Sequence, residues 1–344
     1  LDEGPYAQLL HDLVVDAKEK RASDIHIEPQ EAAVEFRLRI DGEITSYKTI
    51  GVEHKNSLIL EVKRTFGLPI GISGRPQDSR VSFPHLMLDL RVSLLPTLFG
   101  EKVVMRLLDL DATFELEKLG FTEDEQIILR KAISYENGVV VISGPTGSGK
   151  SKTLYSLLQA VNPKECNVIT LEDPVEYRIQ GLNQVQISKK ISFAEALRSV
   201  LRQDPDVILV GEIRDPETAR LCFQAAETGH LVFTTLHANG AIEVVERLAG
   251  LGVEPLVLES NLRLSLAQRL EQKLCLSCRM PTDKEGLWVR EIEGCSACNK
   301  GILGRVPILE WALFDAKRLV LARSLAESKL ARIRQGDIDC RESK

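Results

Sequence analysis

The chain has 344 residues, of which 44% are hydrophobic and 27% charged, a composition typical of a soluble globular protein with room for two domains. Its net charge of −6 argues against a nucleic-acid coat protein, and no apolar run reaches the length of a transmembrane helix. Seven cysteines are too few for a disulfide scaffold, and four of them form two C-x-x-C pairs. These pairs indicate a metal site in a reducing compartment such as the cytosol.

The first part of the chain, residues 1–108, is predicted to be an α+β domain with an antiparallel sheet. Apolar residues recur at helical spacing over Tyr6–Lys20, and a second helix is predicted over Lys55–Phe66. Between these helices, Val34–Ile40 alternates apolar and polar residues and is followed by Asp-Gly. That pattern is typical of a β-hairpin.

Arginines are frequent in this first domain, and most of them fit the solvated face of a strand. Two of them, Arg80 and Arg91, could instead neutralise phosphate charge. Both roles stay open at this point, because sequence spacing does not distinguish them.

Residues 109–118 are charged and irregular and are predicted to be a linker, after which residues 119–270 form a second domain. Apolar runs of strand length alternate there with segments of helical periodicity. Such alternation is typical of a parallel sheet covered by helices on both faces. Ligands bind such sheets at the carboxyl ends of the strands. The predicted strands are Val139–Ile142, Val168–Leu171, Val207–Val210 and Leu231–Thr235.

The second domain contains the stretch GVVVISGPTGSGKSKTL at Gly138–Leu154. In this stretch a strand, a G-x-x-x-x-G-K-S loop and a helix follow one another. The glycines allow a tight turn whose N–H groups point at phosphate oxygens. Lys150 is expected to reach the β- and γ-phosphates, and the Ser151 hydroxyl to bind Mg²⁺. A glycine-rich turn that binds nothing is the alternative, and the complete motif disfavours it. The predicted nucleotide-binding residues are Gly144, Pro145, Thr146, Gly147, Ser148, Gly149, Lys150, Ser151 and Lys152.

Acidic residues follow two of the predicted strands. Glu212 comes two residues after the end of Val207–Val210, where a nucleotide hydrolase positions Mg²⁺ or the attacking water. Glu172 follows Val168–Leu171 and is expected to point toward the same metal or water site. A helix-capping role is the alternative for Glu212.

Histidines bracket the predicted strand Leu231–Thr235, and either one could contact a γ-phosphate. For His230 and His237, a structural hydrogen-bonding role is nearly as well supported. Arg198 and Arg202 lie four residues apart on one predicted helix. They could neutralise transition-state charge or lie on the surface.

The two C-x-x-C pairs are separated by sixteen residues within residues 271–300, a spacing typical of a structural zinc site with four thiolate ligands. A pair of redox-active dithiols is the alternative. Residues 301–344 are predicted to be a C-terminal segment that is extended at first and helical over 316–333. The predicted zinc ligands are Cys275, Cys278, Cys295 and Cys298.

Motifs along nearly the whole chain resemble those of the ATPases of type II secretion and type IV pilus assembly, the GspE/PulE/PilB family. The sequence departs from the family at Lys152, where a second Thr is usual, and in a shorter segment between the C-x-x-C pairs. These 344 residues also hold no counterpart of the family's N-terminal recruitment domain. Besides the phosphate loop and the cysteines, the resemblance is carried by ASDIHIEP at 22–29, RPQDSR at 75–80, LRVS at 90–93, GEKVVMR at 100–106, EDPVE at 172–176, LRQDPDVILVGEIRD at 201–215 and TGHLVFTTLHAN at 228–239.

The resemblance implies a RecA-like ATPase domain preceded by a PAS-like domain, with ATP, Mg²⁺ and Zn²⁺ as ligands. It implies that Glu212 is the catalytic carboxylate and that Arg80 and Arg91 approach the nucleotide. It also implies a homo-hexamer, cytoplasmic and peripheral on the inner membrane, that works with inner-membrane platform and recruitment proteins. No nucleic-acid partner is expected.

These features favour an ATP-driven motor of type II secretion, with type IV pilus assembly as the alternative. A pilus-retraction ATPase is disfavoured because such relatives generally lack the tetracysteine module. A hexameric nucleic-acid translocase and a nucleotide-gated scaffold without turnover are further alternatives.

Overall fold

The computed structural model describes residues 6–111, 114–162, 164–315 and 318–342. The chain divides into two compact units, residues 1–112 and 113–344. Ala112 and Thr113, within the predicted linker, lie outside the described residues. No helix in the described ranges is both long and apolar enough to cross a bilayer.

The first unit is an antiparallel sheet of six strands in the order β3-β2-β1-β6-β5-β4, packed against two helices. The alternation predicted for Val34–Ile40 is observed in β2, because Phe36 and Leu38 are buried while Arg37 and Arg39 lie on the other face. The elements of this unit are α1 (Ala7–Glu19), β1 (Ala22–Pro29), β2 (Ala33–Ile40), β3 (Glu43–Gly51), α2 (Lys55–Thr65), β4 (Gln77–Phe83), β5 (Leu88–Thr97) and β6 (Gly100–Asp109).

The second unit is built on an eight-stranded sheet in the order β16-β15-β12-β7-β11-β10-β8-β9. The strands from β12 to β9 are parallel to their neighbours, and β15 and β16 extend the sheet with antiparallel pairing. The elements of this unit are α3 (Glu123–Ile133), β7 (Gly138–Ser143), α4 (Lys150–Ala160), β8 (Val168–Glu172), β9 (Asn183–Gln186), α5 (Phe193–Val200), β10 (Val207–Val210), α6 (Pro216–Glu227), β11 (Leu231–Leu236), α7 (Ala241–Gly250), α8 (Pro255–Asn261), β12 (Leu262–Leu274), β13 (Met280–Pro281), β14 (Trp288–Val289), β15 (Ile302–Asp315), β16 (Arg318–Arg323) and α9 (Leu325–Gln335).

The four central strands β7, β11, β10 and β8 are buried along their whole length. One apolar cluster packs α5, α6, α7 and α8 on one face of the sheet, and another packs α3 and α4 on the opposite face. Burial on both faces explains why these strands are mostly apolar rather than alternating between apolar and polar residues. The predicted parallel sheet covered by helices is therefore confirmed.

The C-terminal segment differs from the sequence prediction. The helix predicted over 316–333 is wrong in its first part, because Arg318–Arg323 is strand β16 and pairs with β15. The helix α9 begins only at Leu325, where the Ser324 side chain accepts from the backbone N–H of Glu327 and the Glu327 carboxylate accepts in return. This capping box fixes the start of the helix.

Strand β12 was not predicted. Its leucines at 262, 266, 270 and 274 recur every fourth residue, which is helical spacing, although Leu264 adds a strand-like alternation at the start. The two periodicities compete within one segment. Pairing with β7 on one side and β15 on the other decides in favour of the strand.

Candidate functional site

The phosphate loop connects β7 to α4, as the motif predicts. Its first and last glycines have φ of 147° at Gly144 and 89° at Gly149, backbone conformations that L side chains rarely adopt. A Cβ on Gly144 would also lie 2.5 Å from the carbonyl oxygen of Gln268. The loop therefore requires glycine at both ends, for backbone conformation and for space.

The Lys150 side chain folds back over the loop. Its Nζ donates to the carbonyl oxygens of Gly144 at 2.7 Å and Pro145 at 3.0 Å. Burial lowers the pKa of Lys150, and the Glu212 carboxylate opposes that shift. The ammonium is thus held at the mouth of the loop, where a bound phosphate would offer it stronger, charged acceptors.

A cleft opens beside the phosphate loop at the carboxyl ends of β8, β10 and β11. The structure brings four of the predicted residues into its lining: Lys150, Ser151, Glu172 and Glu212. Lys152, in contrast, is an exposed residue of α4 outside the lining. The cleft therefore combines a cation and a hydroxyl from the loop with two carboxylates from the sheet.

Glu212 is held from two sides. Its Oε1 lies 3.2 Å from Nε2 of His237, which follows the neighbouring strand β11. Its Oε2 accepts from Nε of Arg214 at 2.8 Å, and Arg214 also lies 3.6 Å from the Asp173 carboxylate. These contacts fix the direction of a carboxylate that borders the cleft.

Glu172 is a more deeply buried carboxylate, 6% exposed. It accepts hydrogen bonds from the Tyr155 hydroxyl, from Thr170 Oγ1 at 2.5 Å and from Gln184 Nε2 at 3.1 Å. Burial and the adjacent carboxylate raise the pKa of Tyr155 above its usual range, so Tyr155 stays a donor. Neutral donors thus hold this second carboxylate in place.

His230 does not join the cleft. It precedes β11, at the opposite edge of the sheet from the phosphate loop, and seven residues of strand rise separate His230 from the start of the loop by roughly 23 Å. Its Nδ1 contacts the Ala225 carbonyl oxygen at 2.8 Å and Thr228 Oγ1 at 3.1 Å. His230 therefore makes its hydrogen bonds away from the cleft, whereas His237 contacts Glu212. The catalytic roles of both histidines remain predictions.

The predicted arginines of the second unit also lie outside the cleft lining. Arg198 pairs with Glu217 at the start of α6. Arg202 donates to the Arg198 carbonyl oxygen at 2.7 Å. The arginine that the site does contain is Arg214, two residues after Glu212 in the same G-E-I-R-D motif. Sequence analysis could have found it from that adjacency.

The two predicted arginines of the first unit lie opposite each other on β4 and β5, and Arg106 on β6 continues the row. Arg80 donates to Asp89 at 2.9 Å, and Arg106 pairs with Asp24 at 3.0 Å. Like charges on neighbouring strands destabilise a sheet. The Asp89 and Asp24 carboxylates offset the charge of two of the three arginines in this row.

The four cysteines of the C-x-x-C pairs come together beyond the end of β12. Their sulfur atoms all lie within 4.8 Å of one another. The Sγ–Sγ distance is 3.8 Å for Cys275 and Cys295, 3.7 Å for Cys278 and Cys298, and 3.6 Å for Cys295 and Cys298. A tetrahedral ion with Zn–S of about 2.3 Å needs sulfurs about 3.8 Å apart. The cluster thus fits a four-coordinate zinc ion with no open position.

Comparisons with known proteins identify the family of this chain. Residues 1–342 match the family described as "Type II/IV secretion system protein". The chain is 43% identical to "Type IV pilus assembly ATPase PilB" of Myxococcus xanthus over 361 residues, covering 97% of this chain. It belongs to the type II/IV secretion system protein family. The resemblance inferred from the motifs is therefore confirmed.

A second relative in this secretion-system family is "Type II secretion system ATPase E" of Vibrio cholerae, 41% identical over 91% of this chain. The chain spans 64% of the length of the Myxococcus protein and 66% of that of the Vibrio protein. Among solved structures, the Legionella pneumophila ATPase DotB matches with a TM-score of 0.78 at 22% identity, covering 97% of this chain and 94% of that one. This likeness confirms the mixed α/β fold.

Proposed function

We propose that this type II/IV secretion system protein hydrolyses ATP to drive type II protein secretion, with type IV pilus assembly as the alternative. One observation carries the ATPase proposal: Lys150 and Ser151 of the phosphate loop line the same cleft as Glu212. The names of the two relatives, one a secretion ATPase and the other a pilus assembly ATPase, support both alternatives.

Each of these cleft residues has a separate role in the proposed reaction. Lys150 exchanges its two carbonyl acceptors for oxygens of the β- and γ-phosphates. Glu212 orients a water molecule toward the γ-phosphorus. The water oxygen bonds to that phosphorus as its bond to the bridging oxygen breaks, ADP leaves with the bridging oxygen, and the water proton passes to the released phosphate. Mg²⁺, which Ser151 would hold, supplies neutralisation of phosphate charge when bound. His237 and Arg214 keep Glu212 in position for this step.

The tetracysteine cluster is proposed to hold structural zinc. Its thiolates occupy every coordination position, so the ion has no place for a substrate. The first ligand, Cys275, follows β12 directly, and its backbone N–H donates to the Gly301 carbonyl oxygen at 2.8 Å. A metal here would stabilise the small module between β12 and β15.

The working form is proposed to be a homo-hexamer, cytoplasmic and peripheral on the inner membrane, that engages platform and recruitment proteins there. Family membership supports this assignment. The roles of Arg80 and Arg91 toward nucleotide remain predictions.

The experiment that tests the proposal is steady-state ATP hydrolysis by the chain alone and by the chain fused to a hexameric carrier. We expect measurable turnover that rises on forced assembly, and a loss of that rise in Arg91→Ala. Arg64→Ala, an exposed arginine of α2 paired with Glu61, is the matched control. Absence of turnover in both forms would contradict the ATPase proposal and favour a nucleotide-gated scaffold.

A further inference from the structure

Strand β12 places one buried polar side chain against the phosphate loop. Gln268 is 1% exposed, and both ends of its carboxamide are used. Its Nε2 donates to the Ser148 carbonyl oxygen at 2.8 Å, and its Oε1 accepts from the Thr153 hydroxyl at 2.8 Å. The side chain thus ties the loop to the first turns of α4.

The same residue contacts both ends of the loop. Its carbonyl oxygen lies 2.5 Å from the place of a Cβ on Gly144, and its Nε2 lies 2.8 Å from that of a Cβ on Gly149. Between these ends, the tip from Pro145 to Gly147 is exposed. Gln268 therefore packs closely against both ends of the loop and hydrogen-bonds to it at Ser148, while the tip is exposed.

The next residue extends the contact to a neighbouring strand. Arg269 donates through Nη1 to the Gln268 carbonyl oxygen at 3.0 Å and through Nη2 to the Asn239 carbonyl oxygen at 2.8 Å. Asn239 lies two residues after His237, on the loop that follows β11. One dipeptide of β12 therefore connects the phosphate loop with the segment that carries His237.

We propose that Gln268 is a positioning residue that holds the phosphate loop in the shape that binds nucleotide. The inference rests on the proposed function, since the nucleotide is the ligand that the loop would receive. A phosphate loop binds through backbone N–H groups whose directions depend on the loop's conformation. A brace at both ends keeps those directions fixed before the ligand arrives, which lowers the ordering cost of binding.

Glutamine suits this position because the two partners have opposite needs. The Ser148 carbonyl requires a donor and the Thr153 hydroxyl requires an acceptor, and a carboxamide supplies one of each. Methionine, of similar length, supplies neither and leaves buried polar groups unpaired. Glutamate keeps the acceptor for Thr153 and loses the donor to Ser148.

The test is the affinity of the full chain for Mg²⁺-ADP by isothermal titration calorimetry, with thermal unfolding measured on the same samples. We expect Gln268→Met to weaken binding about tenfold or more, a change that corresponds to about 1.4 kcal/mol. Gln268→Glu, which puts a buried carboxylate against the Ser148 carbonyl oxygen, should bind no better than Gln268→Met. The matched control is Ser265→Ala, on the same strand as Gln268. It removes a buried hydrogen bond of 2.7 Å from the Ser265 hydroxyl to the Ala241 carbonyl oxygen.

The comparison with Ser265→Ala separates positioning from general loss of stability. The inference is supported if both variants lose a similar amount of thermal stability and only Gln268→Met loses affinity. A double-mutant cycle that combines Gln268→Met with Thr153→Val should then show non-additive losses of affinity. Equal affinity of Gln268→Met and the wild type would overturn the inference and leave the proposed function intact. No binding by the wild type would overturn both.

Discussion

The Glu212 carboxylate lies 3.2 Å from the imidazole of His237. The two residues follow neighbouring parallel strands, β10 and β11, which are paired in register from Val207↔Leu231 to Val210↔Thr234. Because the carboxyl ends of parallel strands meet at one edge of the sheet, this register places an acid and an imidazole side by side next to the phosphate loop. His237 thereby holds one oxygen of the carboxylate that is proposed to orient the attacking water.

Replacement of His237 tests that pair. His237→Ala removes the group that holds one oxygen of Glu212, so we expect ATP turnover to fall roughly 10- to 100-fold while ADP affinity changes little. Steady-state kinetics and ADP titration measure the two effects. His230→Ala is the control, because His230 lies at the opposite edge of the sheet. An equal loss of turnover in both variants would contradict the distinction between the two histidines.

Removal of the Tyr155 hydroxyl should destabilise the fold and lower turnover. In Tyr155→Phe the buried Glu172 carboxylate loses one of its donors, which costs about 1 to 3 kcal/mol. Urea unfolding gives the stability and steady-state kinetics the turnover. Tyr135→Phe, which removes a hydroxyl from a tyrosine of this unit that is only partly buried, should cost less. Unchanged stability of Tyr155→Phe would show that the hydroxyl does not support Glu172.

Zinc removal should unfold the small module after β12. We expect about one zinc ion per chain by elemental analysis, and loss of both the ion and thermal stability in Cys278→Ser, because a tetrathiolate site contributes folding free energy directly. Cys166→Ser, a cysteine outside the cluster, is the control and should keep its zinc. A purified chain without zinc, equally stable with and without a chelator, would refute the assignment.

The buried pair of Arg332 and Glu125 predicts a large effect on stability. Arg332 donates to Glu125 at 2.9 Å and to the Gly120 and Pro307 carbonyl oxygens, which joins α9 to the start of the unit. Arg332→Ala leaves the Glu125 carboxylate buried with less compensation, and we expect a loss of about 3 to 5 kcal/mol in unfolding free energy. Arg334→Ala, an exposed arginine on the same helix, should change it by less than about 0.5 kcal/mol. Similar values for both variants would argue against the pair.

Much of this site could be predicted from sequence because its signals are local. The phosphate loop is one continuous motif, and Glu212 and Glu172 each follow a short, mainly apolar run that forms a buried strand. The chain's family also follows from such motifs. The strand direction alone then indicates that these residues share an edge of the sheet.

The remaining features depend on contacts between distant segments. No role could be assigned to Gln268 from sequence, because leucines at every fourth residue made β12 difficult to distinguish from a helix. The contact of Gln268 with the loop also depends on pairing between β12 and β7. His230 and His237 look equivalent in sequence, and only their positions at the two ends of β11 distinguish them. The helix predicted over residues 318–323 is wrong because these residues pair with β15, and that pairing depends on tertiary structure.

The most direct test of the central claim is phosphate release from Mg²⁺-ATP by the wild-type chain and by Glu212→Gln, both fused to the same hexameric carrier. Glu217→Gln, a glutamate on the next helix that pairs with Arg198 outside the cleft lining, is the matched control. We predict that Glu212→Gln binds ATP with wild-type affinity and releases almost no phosphate, while the control behaves as the wild type. Phosphate release by Glu212→Gln at the wild-type rate would contradict the account.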